Sequence, residues 1–307
     1  MNTRRFDVTA IGNAIVDVIA QAEDSLLTEH NLPKGAMNLI DAQTAEKLYS
    51  IMGPGKEASG GSAGNTIAGI AALGGKTAYI GKVAADQLGE VFTHDIRAVG
   101  VTYNTEPLVD GLPTARSLIF VTPDAQRTMQ TFLGATTQLG PEDVNMDYIT
   151  SSKVVYLEGY LWDQPRAKKA MRDAAIKAQE SGVKVSLTLS DSFCVARFRD
   201  EFLELAEKHV DILFANENEI LSLYQTDNFD TALQQVRRHC EIAALTRSEK
   251  GSVVINGDEV HIIDAVKGVK VVDTTGAGDA YAAGFLYAYT QGRDLATCGR
   301  LGAAMGA

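Results

Sequence analysis

The chain has 307 residues, 45% of them hydrophobic and 22% charged, with a formal net charge of −11 and a pI near 5.0. That mixture suits one large α/β domain or two smaller ones and disfavours broad binding to nucleic acid or to an anionic membrane. No run of about 18 apolar residues occurs, and "MNTRRFDVTAIGNAIVDV" passes from Arg4 and Arg5 straight into a strand-like pattern, so a cytoplasmic protein is expected.

In chain order, "FDVTAIG" reads as a buried strand, and "DVIAQA" and "GAMNLID" read as short strands that break the α/β rhythm. "SGGSAGNTIAGIAALGG" then places Gly60, Gly61 and Ser62 ahead of a helix whose first turn includes Asn65 and Thr66. Such a loop is either a ligand platform, with backbone open to close approach, or a flexible connection ending in an ordinary cap. "GIAALGGKT" imitates a P-loop, but five residues separate Gly69 from the G-K-T and the order is helix then strand, so Lys76 and Thr77 are expected to open a strand after a Gly74-Gly75 helix end.

"TARSLIFVTP" and "RTMQTFLG" form a hairpin pattern about the Pro123-Asp124 turn signal. From "KVVYLEGYL" onward, strands and helices alternate through "VKVSLTLS", "DILFANENE" and "IAALTRSEKG", the pattern of a parallel sheet covered by helices. The expected fold is α/β, with residues 1–16, 43–103 and 136–307 as a large domain and 17–42 with 104–135 as a small lid sheet. The widely spaced cysteines Cys194, Cys240 and Cys298 read as buried free thiols. The five histidines encode no metal cage.

"VVDTTGAGDAYAAGF" carries the sharpest signal, because a strand and a glycine turn lead into a helix beginning near Asp279. Amides at a helix N-terminus form a nest for an anion. Asp279 is then either an N-cap or a general base beside that nest.

"GGSAGNTIAGIAALGG", "NENE" at Asn216 to Glu219 and "DTTGAGDAYAAGF" occur in the order found in the PfkB (ribokinase) family of carbohydrate and nucleoside kinases, and the resemblance covers essentially the whole chain. It implies a ribokinase-like fold with a β-sheet lid, and Asp279 as catalytic base beside the amides of Gly276, Ala277, Gly278 and Asp279. It implies that Asn216 and Glu219 organise Mg²⁺ through water near ATP, and that Thr246, Arg247 and Gly251 lie on the nucleotide side. Without the resemblance, "NENE" is a solvated strand end and Glu249-Lys250-Gly251 a hairpin turn. Asp273 and Thr275 match positions for a monovalent cation such as K⁺.

"IGNAIVDV" resembles the adenosine kinase branch, which implies that Asp17, with Asn13 nearby, meets the ribose hydroxyls; a carboxylate accepts both donors of a vicinal diol. The alternative for Asp17 is a charge at the lid edge. In that branch a lid arginine meets the transferred phosphate; Arg127 is the matching position, while Arg116 lies nearer the first hairpin strand. Tyr160 in "YLEGYLW" and Phe193 in "SDSFCVARF" are candidate walls for a nucleobase or, equally, core residues.

The resemblance implies ATP-dependent phosphorylation of the 5′-hydroxyl of a nucleoside, adenosine above others, by a monomer or a lid-mediated homodimer. A kinase for ribose or fructose, and a catalytically silent binding module, are the competing expectations. Family members usually continue for some tens of residues past "GRLGAAMGA", so a truncated chain lacking the C-terminal ATP contacts is expected.

Overall fold

The computed structural model describes residues 4–269 and 274–307. Its strands are β1 (Phe6–Ile11), β2 (Ile15–Gln21), β3 (Met37–Leu39), β4 (Gly55–Gly60), β5 (Thr77–Ile80), β6 (Thr102–Tyr103), β7 (Ala115–Val121), β8 (Arg127–Phe132), β9 (Ser152–Glu158), β10 (Lys184–Thr188), β11 (Ile212–Asn216), β12 (Ile242–Thr246), β13 (Ser252–Asn256) and β14 (Glu259–Ile263). The helices are α1 (Asp24–Glu29), α2 (Ala42–Ile51), α3 (Ser62–Ala72), α4 (Gln87–Ala98), α5 (Met146–Thr150), α6 (Pro165–Glu180), α7 (Ser192–His209), α8 (Glu217–Tyr224), α9 (Phe229–Val236), α10 (Ala277–Thr290) and α11 (Leu295–Met305).

Among the described residues nine strands form the main sheet, in the order β14, β13, β12, β11, β10, β9, β1, β5, β6. Strands β12 through β6 in that order run parallel, and β13 and β14 add antiparallel at one edge. The parallel strands are apolar on both faces because helices cover both. Along β9, Val154 and Tyr156 face a core shared with Ile67, Ile70, Tyr281 and Phe285, whereas Val155 and Leu157 face one shared with Trp162, Met171 and Phe202.

Strand order reverses about β1: the chain moves outward to β5 on one side and, later, from β9 outward on the other. In open α/β sheets a crevice opens at the carboxyl ends of strands where the order reverses. The last residues of β9, β10, β11 and β12, namely Glu158, Thr188, Asn216 and Thr246, all line one cleft there, as does Asn13 just past β1.

The smaller sheet has the order β3, β8, β7, β2, β4. The expected lid segments supply β3, β7, β8 and most of β2, but the boundary at residue 43 omits β4, which pairs antiparallel with β2 from Ile15 opposite Gly60 to Ala20 opposite Gly55. Its sequence, "GKEASG", has glycine at both ends and no β-branched or aromatic residue, so it carries no strand signal of its own. The backbone of β2 recruits it.

The P-loop imitation is structural: α3 ends at Ala72, the Gly74 N–H bonds back to Ala71, and Lys76 precedes β5. Gly74 has φ +91, the left-handed value such a helix end requires. The thiols are free; Cys194 and Cys298 are buried, while Cys240 is half-buried. Among the described residues no helix is long and apolar enough to cross a membrane.

Candidate active site

The helices α3 and α10 lie close because their contact is made of small residues. A Cβ on Gly69 of α3 would come within 2.8 Å of the Ala283 Cβ on α10. This packing sets the first turn of α10 against the first turn of α3. Ser62 Oγ donates to Asp279 Oδ1 at 2.6 Å, Asn65 Nδ2 to Asp279 Oδ2 at 3.3 Å, and Thr66 Oγ1 to the Asp279 carbonyl at 3.2 Å.

Asp279 is the third residue of α10 and not its cap; Gly276, with φ +75, occupies the N-cap position. The N-cap explanation for Asp279 therefore fails, since its side chain is engaged by another helix. The expected nest narrows as well, because the Ala277 N–H bonds to the Thr274 carbonyl at 3.2 Å. Burial pushes the Asp279 carboxyl up to about 6, against the lowering effect of the bonds from Ser62 and Asn65.

Across the cleft Asp17 sits on β2 over the backbone of Gly60, where a Cβ would fall 2.5 Å from Asp17 Oδ2. Gly61 follows with φ +86 and would set a Cβ 2.2 Å from the Asn13 carbonyl. Gly60 is thus required by the Asp17 side chain on β2 and Gly61 by the close approach of the loop after β1. Burial pushes Asp17 up to about 6, with Arg127 pulling it down and Asp279 pushing it further up. The two carboxylates feel each other, so both face one space.

Arg127 opens β8, in the alternation that sends Met129 and Thr131 into the cleft. Arg116 points the other way: it is buried beneath α2, bonded to Glu46 and 5.4 Å from the Tyr49 ring. The register of β7 and β8 separates the two arginines.

Asn216 and Glu219 form a reciprocal capping box at the start of α8. Glu219 N–H donates to Asn216 Oδ1 at 2.9 Å, while Glu219 Oε2 accepts the Asn216 N–H at 2.9 Å and Oε1 accepts Asn216 Nδ2 at 2.6 Å. Asn216 and Asn218 are exposed, but Glu219 is only 5% exposed, so that carboxylate is not a solvated one. Burial pushes its carboxyl up to about 7, Asp191 and Asp279 adding to the rise.

The cleft has a volume of about 750 Å³. It is lined by Asn13, Asp17, Gly61, Ser62, Asn65, Tyr160, Phe193, Asn216, Glu219, Thr246, Thr275, Gly276, Gly278 and Asp279 of the expected set. Gly60, Arg127, Arg247, Gly251 and Ala277 are outside that lining, and Asp273 lies outside the described residues. Arg247 stacks 3.9 Å above Phe229 and pairs with Glu217 at 2.8 Å. Gly251 has φ +82 and would set a Cβ 2.0 Å from the Ile263 carbonyl, so the hairpin requires glycine there. Phe193 is 80% exposed on the rim, while burial raises the Tyr160 phenol above its ordinary range.

The residue missed in the sequence is Glu158. It is 1% exposed; Oε1 accepts Asn13 Nδ2 at 2.6 Å and Oε2 accepts the Ala63 N–H at 2.9 Å. Burial pushes its carboxyl up to about 7 against those bonds. Its signal was available: a lone carboxylate ending the otherwise apolar run "VVYLE" must find buried donors.

Asp17, Glu158, Asp163, Asp191, Glu219 and Asp279 line the cleft together with Arg197, which pairs with Asp163 at 2.6 Å, while Arg127 acts on Asp17 from outside the lining. An anionic ligand entering this field needs positive charge brought with it. Among the described residues no three His, Cys, Asp or Glu side chains form a metal cage. A hydrated Mg²⁺ carried by phosphates fits such a site, since that ion keeps its waters and takes few protein ligands.

A profile of pfkB family carbohydrate kinases matches residues 7–307. The structure of adenosine kinase from Sinorhizobium meliloti is 59% identical, with a TM-score of 0.92, over 98% of this chain and 93% of that one. A probable sugar kinase from Rhizobium etli CFN 42 is 58% identical with a TM-score of 0.92, over 99% and 92% of the two chains. Adenosine kinase from Saccharomyces cerevisiae is 27% identical over 319 residues, 94% of this chain and 90% of the yeast protein. These likenesses agree with the ribokinase-like α/β arrangement and with the use of ATP and a divalent metal. The chain belongs to the pfkB family of carbohydrate kinases and is a phosphotransferase acting on an alcohol oxygen.

Proposed function

We propose that this enzyme transfers the γ-phosphoryl group of ATP to the 5′-hydroxyl of a nucleoside, adenosine in particular, giving AMP for purine salvage. The observation that carries the reading is that Asp17 and Asp279 line one cleft together with Tyr160 and Phe193. Asp17, with Asn13, accepts the two ribose hydroxyls; Asp279 takes the proton of the attacking hydroxyl as it meets the phosphorus in line. The aromatic side chains give the base two apolar walls. The 59% identical adenosine kinase supports this choice of substrate.

Arg127, brought in by the lid, stabilises charge on the transferred group, with the amides of Gly276, Gly278 and Asp279 behind it. Asn216 and Glu219 hold waters of Mg²⁺, and Thr275, with Asp273 beside it in sequence, holds a monovalent cation. Mg²⁺ supplies charge neutralisation on the phosphates. Thr246 lies on the nucleotide side, as do Arg247 and Gly251 through the β12–β13 turn. The β2–β3–β4–β7–β8 sheet acts as a lid that excludes water from the phosphoryl group.

A sugar kinase is the second reading, favoured by the 58% identical probable sugar kinase. An ATP-coupled assay of adenosine, other nucleosides, ribose and fructose at equal concentration separates them. A kcat/KM for ribose or fructose above that for every nucleoside overturns the nucleoside reading. A Tyr160→Ala variant refines the answer, because it weakens a nucleoside far more than a free sugar.

A further inference from the structure

Asp279 has two carboxylate oxygens with unequal partners. Oδ1 accepts the Ser62 hydroxyl at 2.6 Å, a short charge-assisted bond, whereas Oδ2 accepts the longer 3.3 Å contact from Asn65. Ser62 stands at the first position of α3, on a turn that is itself held. The next residue, Ala63, gives its N–H to buried Glu158, and Thr66, one turn on, bonds the Asp279 carbonyl. The hydroxyl is therefore presented from a clamped turn, and the same turn fixes the main chain of the residue it serves.

We propose that Ser62 is a positioning residue for Asp279 and not a ligand of the substrate: its hydroxyl pins Oδ1 so that Oδ2 faces the acceptor alcohol. This rests on the reading of Asp279 as the base. A hydroxyl has one proton to donate, and here it is committed to a carboxylate inside the protein. Removing it frees the carboxylate to turn and takes a bond from its charged form, which the neutral form values less. The loss falls on the catalytic step and on the proton affinity of the base, with substrate binding spared.

The test compares Ser62→Ala, Ser62→Thr, Asp279→Asn and the double variant Ser62→Ala/Asp279→Asn, with adenosine and Mg-ATP as probes. Ser62→Ala is expected to lower kcat about 10–100-fold with the KM for adenosine within about twofold. The acid limb of its pH–rate profile moves to higher pH, by on the order of half to one unit. Ser62→Thr, which keeps the hydroxyl, returns kcat to within about threefold of the parent, and Ser62→Ala changes the rate of the Asp279→Asn enzyme less than about twofold. A raised KM with unchanged kcat, or an undiminished cost in the Asp279→Asn background, overturns the proposal. Near-normal kcat in Asp279→Asn alone overturns instead the base reading. Should Ser62→Ala lose its fold by circular dichroism, Ser62→Cys, close in size and a weaker donor, gives the same readouts.

Discussion

Glu158 and Asn13 meet carboxylate to amide at 2.6 Å, at the point where strand order in the main sheet reverses. The carboxylate ties together the ends of β9 and β1 and the start of α3, three segments that carry the cleft floor. Glu158→Ala strands the Asn13 and Ala63 donors in a buried site and is expected to destabilise the fold by about 2–4 kcal/mol. Urea unfolding checks it; a loss below about 0.5 kcal/mol shows that the seam holds without the carboxylate.

If Asp279 is the base, activity needs its ionised form, whose pKa lies at about 6. The kcat therefore rises with pH through about 6 and is lost as pH falls below it. Asp279→Asn is expected to cost about 10²–10⁴-fold in kcat while nucleoside binding, read by calorimetry, stays close to that of the parent. A flat profile from pH 5 to pH 8 contradicts the assignment.

The unliganded protein should lose stability as pH rises from about 5 to 8. Asp17 and Asp279 are raised to about 6, and Glu158 and Glu219 to about 7, by burial. Each therefore binds a proton more tightly folded than unfolded, so its contribution is complete below the ordinary carboxylate range and disappears through pH 6 to 7. Tm falls by roughly 2–4 °C for each kcal/mol lost. Scanning calorimetry at pH 5.5 and pH 8 measures the difference, and a higher Tm at pH 8 refutes it.

Gly61→Ala tests the close approach beside Asn13. With φ +86 and a Cβ falling 2.2 Å from the Asn13 carbonyl, no rotamer relieves the contact. The chain must move, at an expected cost above about 2 kcal/mol. Thermal unfolding and the KM for nucleoside should both worsen; an unchanged Tm indicates that the loop yields cheaply.

Asn216→Ala removes the side-chain half of the capping box and the Nδ2 bond to Glu219, and leaves the backbone N–H of residue 216 to Glu219 Oε2. The loss expected for the helix start is about 0.5–2 kcal/mol. If Asn216 also holds water around Mg²⁺, the Mg²⁺ concentration for half-maximal activity rises several-fold. A loss of stability with unchanged Mg²⁺ dependence assigns the residue to the cap alone.

Much of this was legible in the chain itself. The alternation of apolar runs with helical segments, the glycine pair at Gly60-Gly61 and the strand–glycine–helix passage ending at Asp279 are local patterns, because backbone sterics and burial act over a few residues. They also sufficed to indicate the α/β class and the motifs shared with the pfkB kinases. Strand β4 was hidden because its pairing energy comes from a partner some 40 residues away in sequence, and nothing in "GKEASG" prefers a strand by itself.

The tertiary structure decided which charge meets which. Arg116 and Arg127 differ in sequence by position alone, yet strand register turns one under α2 and leaves the other on the cleft side. Ser62 and Asp279 lie 217 residues apart and meet because small side chains let α3 and α10 approach. Glu158 looked like one more residue of a buried strand. Burial makes an unpaired carboxylate costly, so the fold had to bring donors from two distant segments to it, and that meeting exists only in three dimensions.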